Sequence, residues 1–172
     1  MSEAVALEFQ APSGETVEVE WRSDRLAELE PTVGPGEPAW RLGGELDWDE
    51  VEALRAVSAR LDDGRLLVLA SLRPRGAAGN GEELTSGALG DDGGFQQLAE
   101  TLLSVEYGAD GEARRIGLEL YPSADSIPVR IAGDATAAAS SHEGGVERRS
   151  TAFALRSAGA GGAAILDRLS RG

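Results

Sequence analysis

The chain has 172 residues, enough for one domain. It is 41% hydrophobic but only 5% aromatic, so its core must be built mainly from Ala, Leu, Val and Ile. It has no Cys, no Lys and a single His, which removes disulfides, thiolate metal sites, thiol nucleophiles, Schiff bases and lysine-dependent phosphate loops. A net charge of −14 opposes nucleic-acid phosphates and anionic membrane surfaces, so neither is expected as a partner.

The charge is unevenly spread. Residues 1–52 hold fourteen acids against three arginines, while the other 120 hold sixteen against thirteen. We read the acidic segment as a solubility feature. No apolar run approaches the length of a membrane span, and Met1-Ser2-Glu3-Ala4-Val5 places an acid where a secretory leader carries basic residues. A cytoplasmic location is the expectation.

Val5, Leu7 and Phe9 alternate with Ala6 and Glu8, and Val17, Val19 and Trp21 alternate with Glu18 and Glu20. The Pro12-Ser13-Gly14-Glu15 turn between them predicts a hairpin with its glutamates in solvent. Glu30–Pro38, with three prolines and two glycines, reads as an irregular loop. Trp40–Leu42 reads as a short strand closed off by Gly43-Gly44.

Asp47–Leu61 supports two readings. As a helix, Asp47 caps it, Glu50 completes a capping box, and Trp48, Val51, Leu54, Val57 and Leu61 share one face. As a strand, Val57, Ala59 and Leu61 alternate against Ser58 and Arg60. The tight Asp62-Asp63-Gly64 turn into Arg65–Leu72 favours two strands. We therefore assign Leu54–Leu61 as a strand entered through a helical turn at Trp48–Glu52.

Residues 73–94 are rich in Gly, Asp and Glu and are assigned as a long loop, with a short strand or helical turn near Leu84–Leu89. Phe95–Thr101 is expected to be a short helical turn or an irregular edge. Leu102–Tyr121 gives the clearest signal: Leu103, Val105 and Tyr107, an Ala109-Asp110-Gly111 turn, then Ile116, Leu118 and Leu120 at period two. Val129–Ala132 and Thr151–Leu155 read as strands. Ala135–Ser141 is a weakly patterned strand of small residues, and Ala163–Leu169 is too short to type. The fold class is all-β, one domain over 1–172, an antiparallel barrel or a closely related sandwich built from consecutive hairpins.

Several motifs carry a possible chemistry and a plainer explanation. Gly76, Gly79 and Gly81 follow a strand but precede Glu82-Glu83, negative charge where a phosphate would sit, so no nucleotide is expected. Asp47, Asp49, Glu50, Asp91 and Asp92 lack calcium-loop spacing and read as solvated turn acids; no metal and no cofactor are expected. His142, in Ser-Ser-His-Glu-Gly-Gly, reads as an exposed turn residue. In so aromatic-poor a chain, Trp21, Trp40, Trp48 and Tyr107 are the candidate lining of a cavity for a small apolar ligand. Filling core volume or plugging a barrel end is the alternative role for the tryptophans.

Two segments carry a family resemblance. ARLDDGRLLVLASLRPRGA (Ala59–Ala77) and LLSVEYGADGEARRIGLELY (Leu102–Tyr121) are similar to hairpins of the lipocalin-related proteins that include carotenoid 1,2-hydratases and AttH-like proteins. The resemblance implies a lipocalin-like barrel for an apolar ligand. Members of that family typically contain two consecutive barrels, and this chain has room for one. They also commonly carry a charged segment with His and Trp before the first hairpin; here Leu46–Leu54, LDWDEVEAL, has Trp48 and no histidine. Three functions follow as expectations. The first is non-enzymatic binding of a small apolar or amphipathic ligand. The second is an interaction domain with a filled interior, and the third a hydratase- or cyclase-like enzyme using cavity carboxylates.

Overall fold

A computed structural model describes residues 4–11, 13–30, 32–33, 38–76, 83–91, 94–157 and 160–171. In chain order the elements are β1 (Ala4–Gln10), β2 (Thr16–Arg22), the five-residue helix α1 (Ser23–Ala27), β3 (Trp40–Leu42), β4 (Val51–Leu61) and β5 (Leu66–Pro74). There follow β6 (Leu84–Asp91), β7 (Gly94–Gln97), β8 (Glu100–Tyr107), β9 (Ala113–Tyr121), β10 (Val129–Glu143), β11 (Val146–Ser157) and β12 (Ala160–Arg171). The strands form a three-stranded sheet, β1-β2-β3, and a nine-stranded sheet ordered β7-β6-β5-β4-β12-β11-β10-β9-β8. Every pairing is antiparallel, as the hairpin patterns predict.

The centre of the large sheet is apolar on both faces, and this decides the architecture. In β4, Val57, Ala59 and Leu61 join Leu67 and Leu69 of β5 in one core cluster, while Leu54 and Ala56 join Val68, Ala70 and Leu72 in another. The first cluster continues through Ile116 and Leu118 of β9, Ile131 of β10, Phe153 of β11 and Leu166 of β12, with Leu89 of β6 and Leu103 of β8 packed against it. Residues from both ends of the strand order therefore meet, and β6 comes up against β8. The sheet is curled into a half-barrel around this cluster. Its outer face holds the second cluster, covered by Leu7 and Phe9 of β1, Val19 and Trp21 of β2, Leu26 of α1 and Trp40 of β3.

The predicted hairpins take the expected registers. Val5 faces Trp21, Leu7 faces Val19 and Phe9 faces Val17 across β1–β2. Leu103 faces Leu118 and Val105 faces Ile116 across β8–β9. Gly64 and Gly111 sit in their turns at φ of 96° and 81°, a region closed to most side chains. Asp47–Leu61 resolves as the strand reading with its helical entrance reduced to one turn. The Glu50 and Val51 amides both donate to the Asp47 carbonyl at 3.0 Å, and β4 starts at Val51, three residues earlier than assigned.

The loop over 73–94 is shorter than assigned, and its short-strand alternative near Leu84–Leu89 is the one that forms. The long loop over 73–94 contains all of β6, β5 runs on to Pro74, and Gly94 starts β7; residues 77–82 and 92–93 of that stretch lie outside the described set. The glycines that read as loop are close-packing positions. A Cβ on Gly87 would stand 2.9 Å from Thr101 Oγ1 and 3.2 Å from the Val68 carbonyl, and one on Gly90 would stand 2.6 Å from the Phe95 ring. Phe95–Thr101 takes the irregular-edge alternative and not the helical turn: it spans most of β7 at one edge of the sheet, a break at Leu98-Ala99, and the start of β8 at the other edge. Leu98 is buried, with its amide bonded to the Gly87 carbonyl at 2.9 Å.

Ala135–Ser141 lies within the fifteen-residue β10, which pairs with β9 only over Val129–Asp134 but with β11 from Ile131 to Glu143. Ala163–Leu169 lies within β12, wedged between β4 and β11. Among the described residues no helix is long and apolar enough to cross a membrane.

Phe153 is fully buried at the middle of the half-barrel cluster. Phe153→Ala should cost about 3–5 kcal/mol, the range for aromatic truncation in a packed core, read as a fall in the urea unfolding midpoint at constant slope.

Candidate functional site

The four aromatic residues singled out from the sequence separate onto two sides of the large sheet. Trp21 and Trp40 are buried in the outer cluster, and Trp48 packs against it half-exposed. Tyr107 ends β8, on the alternation that points Leu103 and Val105 into the half-barrel, and is 48% exposed. Period two specifies which residues share a face, but not which sheet covers that face; this is why one common cavity was expected.

The indoles fasten the small sheet to the large one. Trp21 Nε1 donates to Ser58 Oγ at 2.9 Å and Trp40 Nε1 donates to Asp167 Oδ2 at 2.8 Å. Ser150 Oγ donates to the other oxygen of Asp167. Asp167 is a buried acid, 3% exposed, that the sequence reading did not single out. Its signal was the alternation Ile165, Asp167, Leu169, which places a carboxylate on an otherwise apolar face. Ser58, Ser150 and Asp167 also line a pocket of about 450 Å³ together with Leu29, Val33 and Pro38. Their oxygens are already engaged by the indoles and by one another, so they act as fasteners.

The inner face differs. Its apolar cluster gives way toward one end to polar residues, and there a cleft of about 780 Å³ opens between β8 and the β4–β5 side. Leu103, Val105 and Tyr107 form one wall and Arg55, Arg73 and Arg168 the other. A smaller cleft of about 290 Å³ shares Tyr107 and Arg168 with it and adds Arg149 and Leu166.

The arginines are placed by strand register. Arg149 of β11 faces Arg168 of β12, which faces Arg55 of β4. Arg55 faces Ser71 of β5, and Ser71 faces Thr85 of β6. Three guanidinium side chains thus stand in one lateral row. Arg55 Nη2 donates to Glu83 Oε1 at 2.8 Å, with Ser71 Oγ donating to the same oxygen at 2.7 Å. The Arg55 and Glu83 side chains are 15% and 11% exposed, a partly buried ion pair. Arg149 Nε donates to Glu147 Oε1 at 2.7 Å, and Glu112 lies 3.8 Å from its Nη1. The Arg149 hydrogen bond, followed by its charge and a bond from His142, holds the Glu147 carboxyl below the ordinary glutamate range. Arg168, between them, bonds only the Ser170 hydroxyl, at 3.3 Å, and has no acid partner among the described residues. Across the cleft Thr101, 5% exposed, has a buried Oγ1 with no hydrogen-bond partner among them.

Other candidates resolve plainly. His142 is exposed near the β10–β11 turn with Nε2 2.9 Å from Glu147. Gly76 adopts φ of 79° in a turn, and Gly79 and Gly81 lie outside the described set. Among the described residues no three His, Asp or Glu side chains are grouped to hold a metal. Comparison with protein-family models, curated proteins and solved structures finds no match for this chain.

Two outcomes test the electrostatics. Glu83→Gln leaves the partly buried Arg55 beside Arg168 without its acid, and should lower unfolding free energy in urea titration by less than the roughly 3–5 kcal/mol lost when a fully buried pair is broken. Because the Glu147 pKa is lower folded than unfolded, its interaction stabilises the fold above the ordinary glutamate range and is lost as pH falls through the folded value. The Glu147 carboxyl should therefore titrate below free glutamate by NMR, and Arg149→Gln should move that midpoint upward.

Proposed function

We propose that the protein binds a small amphipathic molecule, without transforming it, in the cleft on the inner face of the half-barrel. The observation that carries this reading is the lining of that cleft: Leu103 and Val105 continue the apolar cluster on one side, and arginines face them on the other. Such a surface matches a molecule with an apolar body and a polar end. The β4–β5 and β8–β9 hairpins coincide with the two segments that resemble lipocalin-related proteins, and that resemblance supports an apolar-ligand barrel. A second reading, an interaction domain with a filled interior, is favoured by the packing around Phe153, Leu69 and Leu120, which leaves the deeper half of the curl solid. On either reading the tryptophans are fasteners and Tyr107 belongs to the cleft.

Titration with the uncharged fluorophore N-phenyl-1-naphthylamine tests the first reading. The dye should brighten on binding, Tyr107→Ala should weaken it severalfold, and tryptophan emission should keep its wavelength because the indoles lie beyond the sheet. Absence of dye binding by the folded protein would reject the binding module in favour of the filled interior.

A further inference from the structure

We infer that Arg168 is the anchor for a carboxylate on the bound molecule, which makes the ligand class an amphipathic monocarboxylate; this rests on the cleft being the binding site. Directly facing residues on neighbouring strands have Cβ atoms about 4.5–5.5 Å apart, and like charges so placed repel. Arg149, Arg168 and Arg55 occupy successive facing positions. The outer two are neutralised, Arg55 by Glu83 and Arg149 by Glu147 and Glu112. The middle one has no acid partner among the described residues. A cation kept half-buried between two others, in a protein of net charge −14, is poorly placed until an external anion completes the row.

The charge balance selects the anion. Of the three arginines that line the cleft, Arg55 pairs with Glu83 and Arg73 with Glu52; Arg168 is the one with no acid partner among the described residues, and a single negative charge balances it where a phosphate dianion would exceed it. The planar guanidinium fork fits the two oxygens of a carboxylate. Leu166, two residues before Arg168 on the same face, lies with Leu103 and Val105 against the apolar cluster and offers the tail a path.

The test compares decanoate with decan-1-ol by calorimetry, both below their aggregation concentrations, on the wild type and Arg168→Gln. The wild type should bind decanoate at least about tenfold tighter than the alcohol, the worth of one charge-assisted hydrogen-bonded pair. Arg168→Gln should bring that ratio close to unity, and Arg168→Lys should restore part of it. The unliganded Arg168→Gln protein should also melt at a higher temperature than the unliganded wild type, since the row of like charge is relieved; this readout shows that the variant folds. Equal wild-type affinities for acid and alcohol, or an unchanged ratio in Arg168→Gln, would overturn the anchor and leave the cleft standing as an apolar site. Binding of neither compound would overturn both the anchor and the binding site.

Discussion

The large sheet cannot leave either of its central faces in water. Antiparallel sheets commonly bury one face and wet the other, but β4 buries Val57, Ala59 and Leu61 on one side and Leu54 and Ala56 on the other. Both sides must be covered, and the chain covers them differently. The sheet curls so that its own distant strands enclose the inner side, and the β1–β2–β3 sheet with α1 covers the outer one. Curling brings β8 opposite β4 and β5 and thereby creates the cleft; the separate outer cover takes up all three tryptophans.

This division explains how far the letters could be read. The β1–β2 and β8–β9 hairpins were legible because alternation and turn chemistry are local, and their registers match the pattern residue for residue. Strand β6 was legible only as a short strand or helical turn near Leu84–Leu89, because Gly87 and Gly90 lower β-propensity locally and are required by the residues packed onto them, Thr101 and Phe95 among them. Trp21 and Trp40 fill core volume in the outer cluster, the alternative role given to the tryptophans. Their assignment to one cavity with Tyr107 failed, since the second layer arises from contacts between distant segments.

The arginine row was illegible for a related reason. Arg55, Arg149 and Arg168 are scattered through the sequence and become neighbours only because β12 inserts between β4 and β11. No local pattern signals that insertion. The same holds for Asp167, whose indole partner is 127 residues away, although its place in an apolar alternation could have marked it as a satisfied buried acid.

The position of β12 also bears on how the molecule forms. It pairs along most of its length with β11 on one side and β4 on the other, about a hundred residues earlier in the chain. Until that strand has emerged during synthesis, β4–β5–β6 and β8–β11 are two ribbons with unprotected rims. Such non-local closure slows folding to the millisecond-to-second regime typical of all-β domains and exposes strand edges meanwhile. The abundant surface carboxylates then have a purpose before any native contact exists: mutual repulsion keeps half-made ribbons of neighbouring molecules apart.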